Sequence, residues 1–148
     1  MRPEFMSWDL FLRDCLLALQ PRSVYAMDSA ALELIANVLP ETVICPPGEM
    51  PPHPCDIALG IQSLTGLSAE EAQHLLNRTR LYCAPRLLLA EPITGTLDAD
   101  IFRSLGFSMR ASDREHGINL YEYDLDTYKT VPDWLNARYW AHPERWKR

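Results

Sequence analysis

Arg86-Leu87-Leu88-Leu89-Ala90-Glu91-Pro92 is the stretch on which the fold turns. Its centre is continuously apolar, so it shows neither the alternation of a half-wet strand nor the three-and-four spacing of a surface helix. It is also too short for a helix of ordinary length, and proline closes it. Such a run reads as a strand buried on both faces, which requires a sheet with helices packed on either side. Working outward, Asp56-Ile57-Ala58-Leu59-Gly60-Ile61 and Ser23-Val24-Tyr25-Ala26-Met27 read the same way, and Thr42-Val43-Ile44-Cys45 reads as a shorter strand.

The segments between these runs carry helical spacing. Trp8, Phe11, Leu12, Cys15, Leu16 and Leu19 fall on one face of a helix over 7–19, which Pro21 ends. Ala31, Leu34, Ile35 and Val38 form the inner stripe of a second helix, capped by Asp28 or Ser29 and stopped by Pro40. Ser68-Ala69-Glu70-Glu71 is a capping box, and the helix it opens runs to about Cys83 with Ala72, Leu75, Leu76, Thr79 and Cys83 inward. A short helix over 98–105 ends at Gly106. Residues 107–111 and 118–123 are then two strands joined by the turn Asp113-Arg114-Glu115-His116-Gly117, which predicts an antiparallel hairpin. Strands alternating with helices predict an α/β fold with a mostly parallel sheet.

Length and composition agree with one domain. The chain has 148 residues, 47% of them hydrophobic and 23% charged, with a net charge of −6. A domain of this size buries about two-thirds of its unfolded surface and needs no disulfide or metal staple. The negative charge argues against a nucleic-acid or anionic-membrane surface for the whole molecule. There is no apolar run of membrane-spanning length and no secretory signal pattern, so the expected location is cytoplasmic and Cys15, Cys45, Cys55 and Cys83 are expected as free thiols. Residues 1–5, Met-Arg-Pro-Glu-Phe, precede a second methionine and read as an added leader.

This order of elements resembles the class I S-adenosylmethionine-dependent methyltransferase fold, a Rossmann-like sheet that ends in an antiparallel hairpin. The resemblance covers residues 23–125 and is strongest in the second half. Residues 56–61 resemble the family's fourth strand and residues 86–92 its fifth. Leu105-Gly106-Phe107 and the pair ending Leu120-Tyr121-Glu122-Tyr123-Asp124 resemble its last helix and terminal hairpin. The chain also resembles a small, uncharacterised bacterial family of truncated proteins of this kind. The resemblance implies S-adenosylmethionine as cofactor, held by a glycine-rich loop after the first strand and an acid at the end of the second.

Both devices are missing. Met27-Asp28-Ser29-Ala30-Ala31 follows the first strand, and the first glycine in the chain is Gly48. Without glycine, Cβ atoms crowd a close backbone approach and the left-handed conformation is costly. The second strand ends in Cys45-Pro46-Pro47, with no acid until Glu49. Five prolines between 46 and 54 exclude the family's third strand, so the sheet is expected to lack one.

Asp28 and Ser29 lie where the first strand ends, and Gln62 and Ser63 where its expected neighbour ends. These four are the candidates for lining a ligand crevice, although an aspartate at position 28 also suits the helix cap alone. Cys45, Glu49, His53 and Cys55 fit no closed zinc site, so no metal is expected. No nucleophile elbow is present, His74 falls on an outer helix face, and the acid pairs sit in first helical turns where the dipole favours them.

Residues 127–148 are the least ordinary segment. Residues 129–148 hold both lysines, three of the four tryptophans, and five basic residues against two acidic ones. Trp134, Arg138, Tyr139, Trp140, Arg145 and Trp146 are the residue types that anchor protein partners. The same segment can instead fold back over the acidic body, covering the sheet edge left by the missing strand. Stacking on nucleic acid is disfavoured by the body's charge. The expected function is therefore a non-catalytic interaction or adaptor protein built on a degenerate methyltransferase scaffold. The alternative is a divergent enzyme or sensor that binds S-adenosylmethionine or a nucleotide at Asp28, Gln62 and Ser63.

Overall fold

A computed structural model describes residues 7–125. The aromatic basic segment at 127–148, with all six of its candidate partner-binding residues, lies outside the described residues, as do residues 1–5. The elements follow in the order α1 (Trp8–Leu19), β1 (Ser23–Ala26), α2 (Ser29–Val38), β2 (Val43–Cys45), β3 (Ile57–Ile61), α3 (Ala69–Tyr82), β4 (Arg86–Pro92), α4 (Ala99–Ser104), β5 (Ser108–Asp113) and β6 (Ile118–Asp124). The strands form one sheet in the order β2-β1-β3-β4-β6-β5. The first four run parallel, while β6 lies antiparallel between β4 and β5. The sheet is thus mostly parallel with a C-terminal antiparallel hairpin, and the proline-rich stretch from 46 to 54 contributes no strand to it.

The continuous apolar strands are explained by the two layers that cover them. Along β4, Leu87 and Leu89 pack into the layer of α3 and α4, with Leu76, Phe102, Tyr121 and Tyr123. Leu88 and Ala90 point the other way, into the layer of α1 and α2, with Leu12, Leu16, Ala31 and Ile35. Every second residue therefore belongs to a different core, and neither face can tolerate water.

The caps expected on α2 and α3 form, and Asp98, expected only as a first-turn acid, is a cap as well. Asp28 caps α2, Asp98 caps α4, and Ser68 with Glu71 makes both bonds of the capping box on α3. At α1, Ser7 occupies the cap position but its hydroxyl donates to Asp9 at 2.5 Å rather than accepting from the helix. That helix ends at Gln20, in the left-handed region with φ 47°, one residue before Pro21. The hairpin turns through Gly117 at φ +71°, and β5 carries a register shift between Met109 and Ala111. It also extends two residues beyond the expected Ala111, because Asp113 still pairs with Ile118. No described helix is long and apolar enough to cross a membrane.

Candidate functional site

In an open sheet of this kind, ligands bind outside the carboxyl ends of the strands, where the chain connections diverge to opposite sides. Here β1 pairs with β2 on one side and β3 on the other, so the divergence point lies between the ends of β1 and β3. Asp28 follows β1, and Gln62 and Ser63 follow β3, so the structure brings these three expected residues to one place.

They bind one another. Asp28 Oδ1 accepts the Ala31 N–H at 2.8 Å, the helix cap expected from sequence. Asp28 Oδ2 crosses to the neighbouring strand, where it accepts the Ile61 N–H at 2.8 Å and the Ser63 hydroxyl. One carboxylate thereby closes the strand-end crevice with three internal hydrogen bonds. Gln62 sits between these contacts in the left-handed region, φ 57°, and donates its own N–H to the Ala90 carbonyl at 2.7 Å. Its side chain is exposed, and so is Ser29 in the first turn of α2.

Packing beneath the closure is tight. A Cβ at Gly60 would stand 2.6 Å from Ser63 Oγ and 2.9 Å from Met27 Sδ. Those two side chains occupy the volume beside the ends of β1 and β3. The glycine-rich loop and the acid ending the second strand, by which the family that the chain resembles holds its cofactor, have no counterpart in these residues. No glycine stands between 27 and 31, the Asp28 carboxylate is engaged, and β2 ends in Cys45-Pro46.

Glu91 is a site residue that the sequence reading passed over as the end of an apolar strand. It continues the row of Leu87 and Leu89 on the face of α3 and α4, it is only 3% exposed, and it pairs in register with Asn119. Burial pushes its carboxyl up to about 8, even though hydrogen bonds from the backbone N–H groups of Ser63 and Leu64 pull it back and the Asp28 charge pushes it further. Among the described residues, its Oε2 has no hydrogen-bond partner, and neither has the buried Oδ1 of Asn119. A signal was available: an acid at an inward position of a strand buried on both faces has no solvent to face. A carboxyl held near 8 can keep or release a proton at neutral pH.

Above Glu91 the loops after β3 and β4 leave a cleft of about 390 Å³, lined by Thr65, Gly66, Glu91, Pro92, Thr94, Gly95 and Thr96. Thr96 Oγ1 ties the loops together by donating to the carbonyls of Leu67 at 3.1 Å and Leu64 at 3.4 Å.

The cysteines are elsewhere, and all four are free. Cys45 directs its thiol to the Glu49 carbonyl at 3.5 Å, Cys55 and Cys83 are buried, and His53 is exposed. Among the described residues, no three His, Cys, Asp or Glu side chains come together as a metal site.

Comparison with known proteins places the fold. An rRNA methylase from Escherichia coli is similar at a TM-score of 0.50 and 16% identity, over 77% of this chain and 61% of its own. This chain thus spans less than two-thirds of that protein's length. A putative methyltransferase from Pseudomonas syringae gives a TM-score of 0.46 at 15% identity, over 78% of this chain and 97% of its own. The 16S rRNA methyltransferase RmtF, solved in complex with S-adenosyl-L-homocysteine, gives 0.44 at 18% identity, over 77% and 60%. The E. coli likeness shows a methyltransferase-like fold. No curated protein matches the chain. The model of a family of unknown function (DUF6231) matches residues 10–148.

Proposed function

We propose, for a chain that belongs to the DUF6231 family, that the methyltransferase-like scaffold serves as a non-catalytic binding module in the cytoplasm, with a protein as its partner. The observation that carries this reading is the Asp28 carboxylate. At the point where the fold would receive S-adenosylmethionine, its two oxygens are engaged by Ala31, Ile61 and Ser63 of the chain itself. A ligand entering there would have to break bonds that also cap α2 and hold β1 to the end of β3. Each buried donor left without a partner would cost about 1–3 kcal/mol. Partner binding rests on the composition of the C-terminal segment, whose Trp, Tyr and Arg residues are those that most often anchor an interface.

Calorimetric titration of the full chain with S-adenosylmethionine and with S-adenosylhomocysteine tests the reading. The expected result is no binding of either at micromolar concentrations. Micromolar binding that Asp28→Ala abolishes would overturn it and establish the divergent cofactor-binding alternative. A parallel capture experiment from the native host should recover a protein with the full chain and lose it when residues 130–148 are removed.

A further inference from the structure

We propose that the cleft between the loops after β3 and β4 binds a small primary amine, with the ligand's ammonium seated on the Glu91 carboxylate. This goes beyond the reading of the cofactor crevice as closed, and it concerns the cleft above Glu91, whose lining residues are not those that close the crevice. At its floor, Glu91 is 3% exposed and has one carboxyl oxygen without a partner among the described residues. Asn119, beside it in register, holds a second buried acceptor without a donor. Native proteins rarely leave buried acceptors unpaired, and two adjacent ones mark a place built for a donor.

The charge around the cleft selects a cation. Among the described residues, no Lys, Arg or His lines it. From the neighbouring elements, the Asp28 charge acts on Glu91 from the end of β1, while Glu91 and Asp98 at the start of α4 both act on Tyr121 of β6. Asp28 and Asp98 are acids, and the Tyr121 phenol, which burial raises above its ordinary value, carries no charge at neutral pH. An anionic ligand would meet the Asp28 charge here, whereas an ammonium would donate to the Glu91 carboxyl and offset the charge that carboxyl takes on when it gives up its proton. The threonine hydroxyls of Thr65 and Thr94 stand at the exposed rim. A volume of about 390 Å³ lies at the small end of the range for ligand pockets and suits a short amine.

Binding must then displace a proton. Glu91 holds one at neutral pH, because burial raises its carboxyl, and an ammonium pairs only with the carboxylate. Each amine bound near pH 7 should release nearly one proton to the buffer.

The test uses butylamine and propylamine as probes, with 1-butanol and 1-propanol as neutral isosteres, titrated into the full chain. Nuclear magnetic resonance shifts read the affinity, and calorimetry in two buffers of different ionisation heat reads the proton. The expected result is millimolar or tighter amine binding with shifts confined to residues around 63–66 and 91–96, nearly one proton released, and no binding of the alcohols. Glu91→Gln should weaken the amine at least tenfold. Thr94→Trp, which fills the rim from an exposed position, should do the same with Glu91 intact, and it decides the matter if the Gln variant does not fold. Absent amine binding, equal binding of the alcohols, no proton release, or undiminished affinity in the folded variants would each overturn the proposal. The cofactor titration reads the other crevice, so failure of one proposal leaves the other standing.

Discussion

Asp28 and Ser63 meet across the divergence point of the sheet, the serine hydroxyl donating to the aspartate carboxylate across a sequence separation of 35. The same serine gives its backbone N–H to Glu91, so two carboxyls hold the loop after β3 from opposite sides. One of them is committed to the structure of the chain, and the other keeps an oxygen unpaired.

Removing the first carboxylate should be costly. Asp28→Ala deletes a helix cap and leaves the Ile61 N–H without its partner, for an expected loss of about 2–4 kcal/mol in urea unfolding. In a double-mutant cycle with Ser63→Ala the two losses should not add, and the coupling should reach about 0.5–3 kcal/mol. Additive losses would show that the pair is not one unit.

The second carboxyl makes stability depend on pH. Its value near 8 in the folded protein stands well above the ordinary 4.5. Between those two values the folded state holds a proton that the unfolded chain has lost. The contribution is therefore complete below the lower value and disappears as pH rises through the upper one. Urea unfolding at a series of pH values should show stability falling from about pH 5 to about pH 8, with a slope of at most ~1.4 kcal/mol per unit. Glu91→Gln should flatten that slope.

The hairpin turn should be sensitive to one methyl group. Gly117 adopts φ +71°, and a Cβ added there would meet nothing within 4 Å. Gly117→Ala should therefore cost only the backbone strain of a left-handed L-residue, about 1–2 kcal/mol in thermal or urea unfolding. A neutral result would mean that the turn relaxes to another conformation.

Thiol reactivity should divide the cysteines in two. Burial pushes all four thiols up, but Cys15 and Cys45 are only half-buried, while Cys55 and Cys83 are 5% and 4% exposed. A disulfide reagent at mildly alkaline pH should modify the first pair quickly and the second only on unfolding, with four thiols counted in denaturant. Fast modification of Cys55 in the folded chain would contradict this.

The elements themselves were legible along the chain. Leu87 to Ala90 announced a doubly buried strand, Ser68 with Glu71 a helix start, and Gly117 a turn, each from residues within one turn or one strand of each other. Local periodicity and capping act over a few bonds, so one sequence suffices to read them. The proline-rich stretch after Cys45 likewise excluded a strand by itself, since proline has no N–H to give to a sheet.

Only the tertiary structure decided what the strand ends do. Asp28 reads as a helix cap from sequence and is one, but its second oxygen finds Ile61 and Ser63 only because β1 and β3 lie side by side. Glu91 reads from sequence only as the last residue of an apolar strand, and it is the packing of the loops after β3 and β4 and of the α3 and α4 layer that leaves it 3% exposed. The charge of a carboxyl is set by desolvation and by the donors brought to it, and both arrive from residues far away in the chain. Periodicity therefore determined the sheet and its two layers, while long-range packing determined which acid is a structural tie and which is held protonated at the floor of an open cleft.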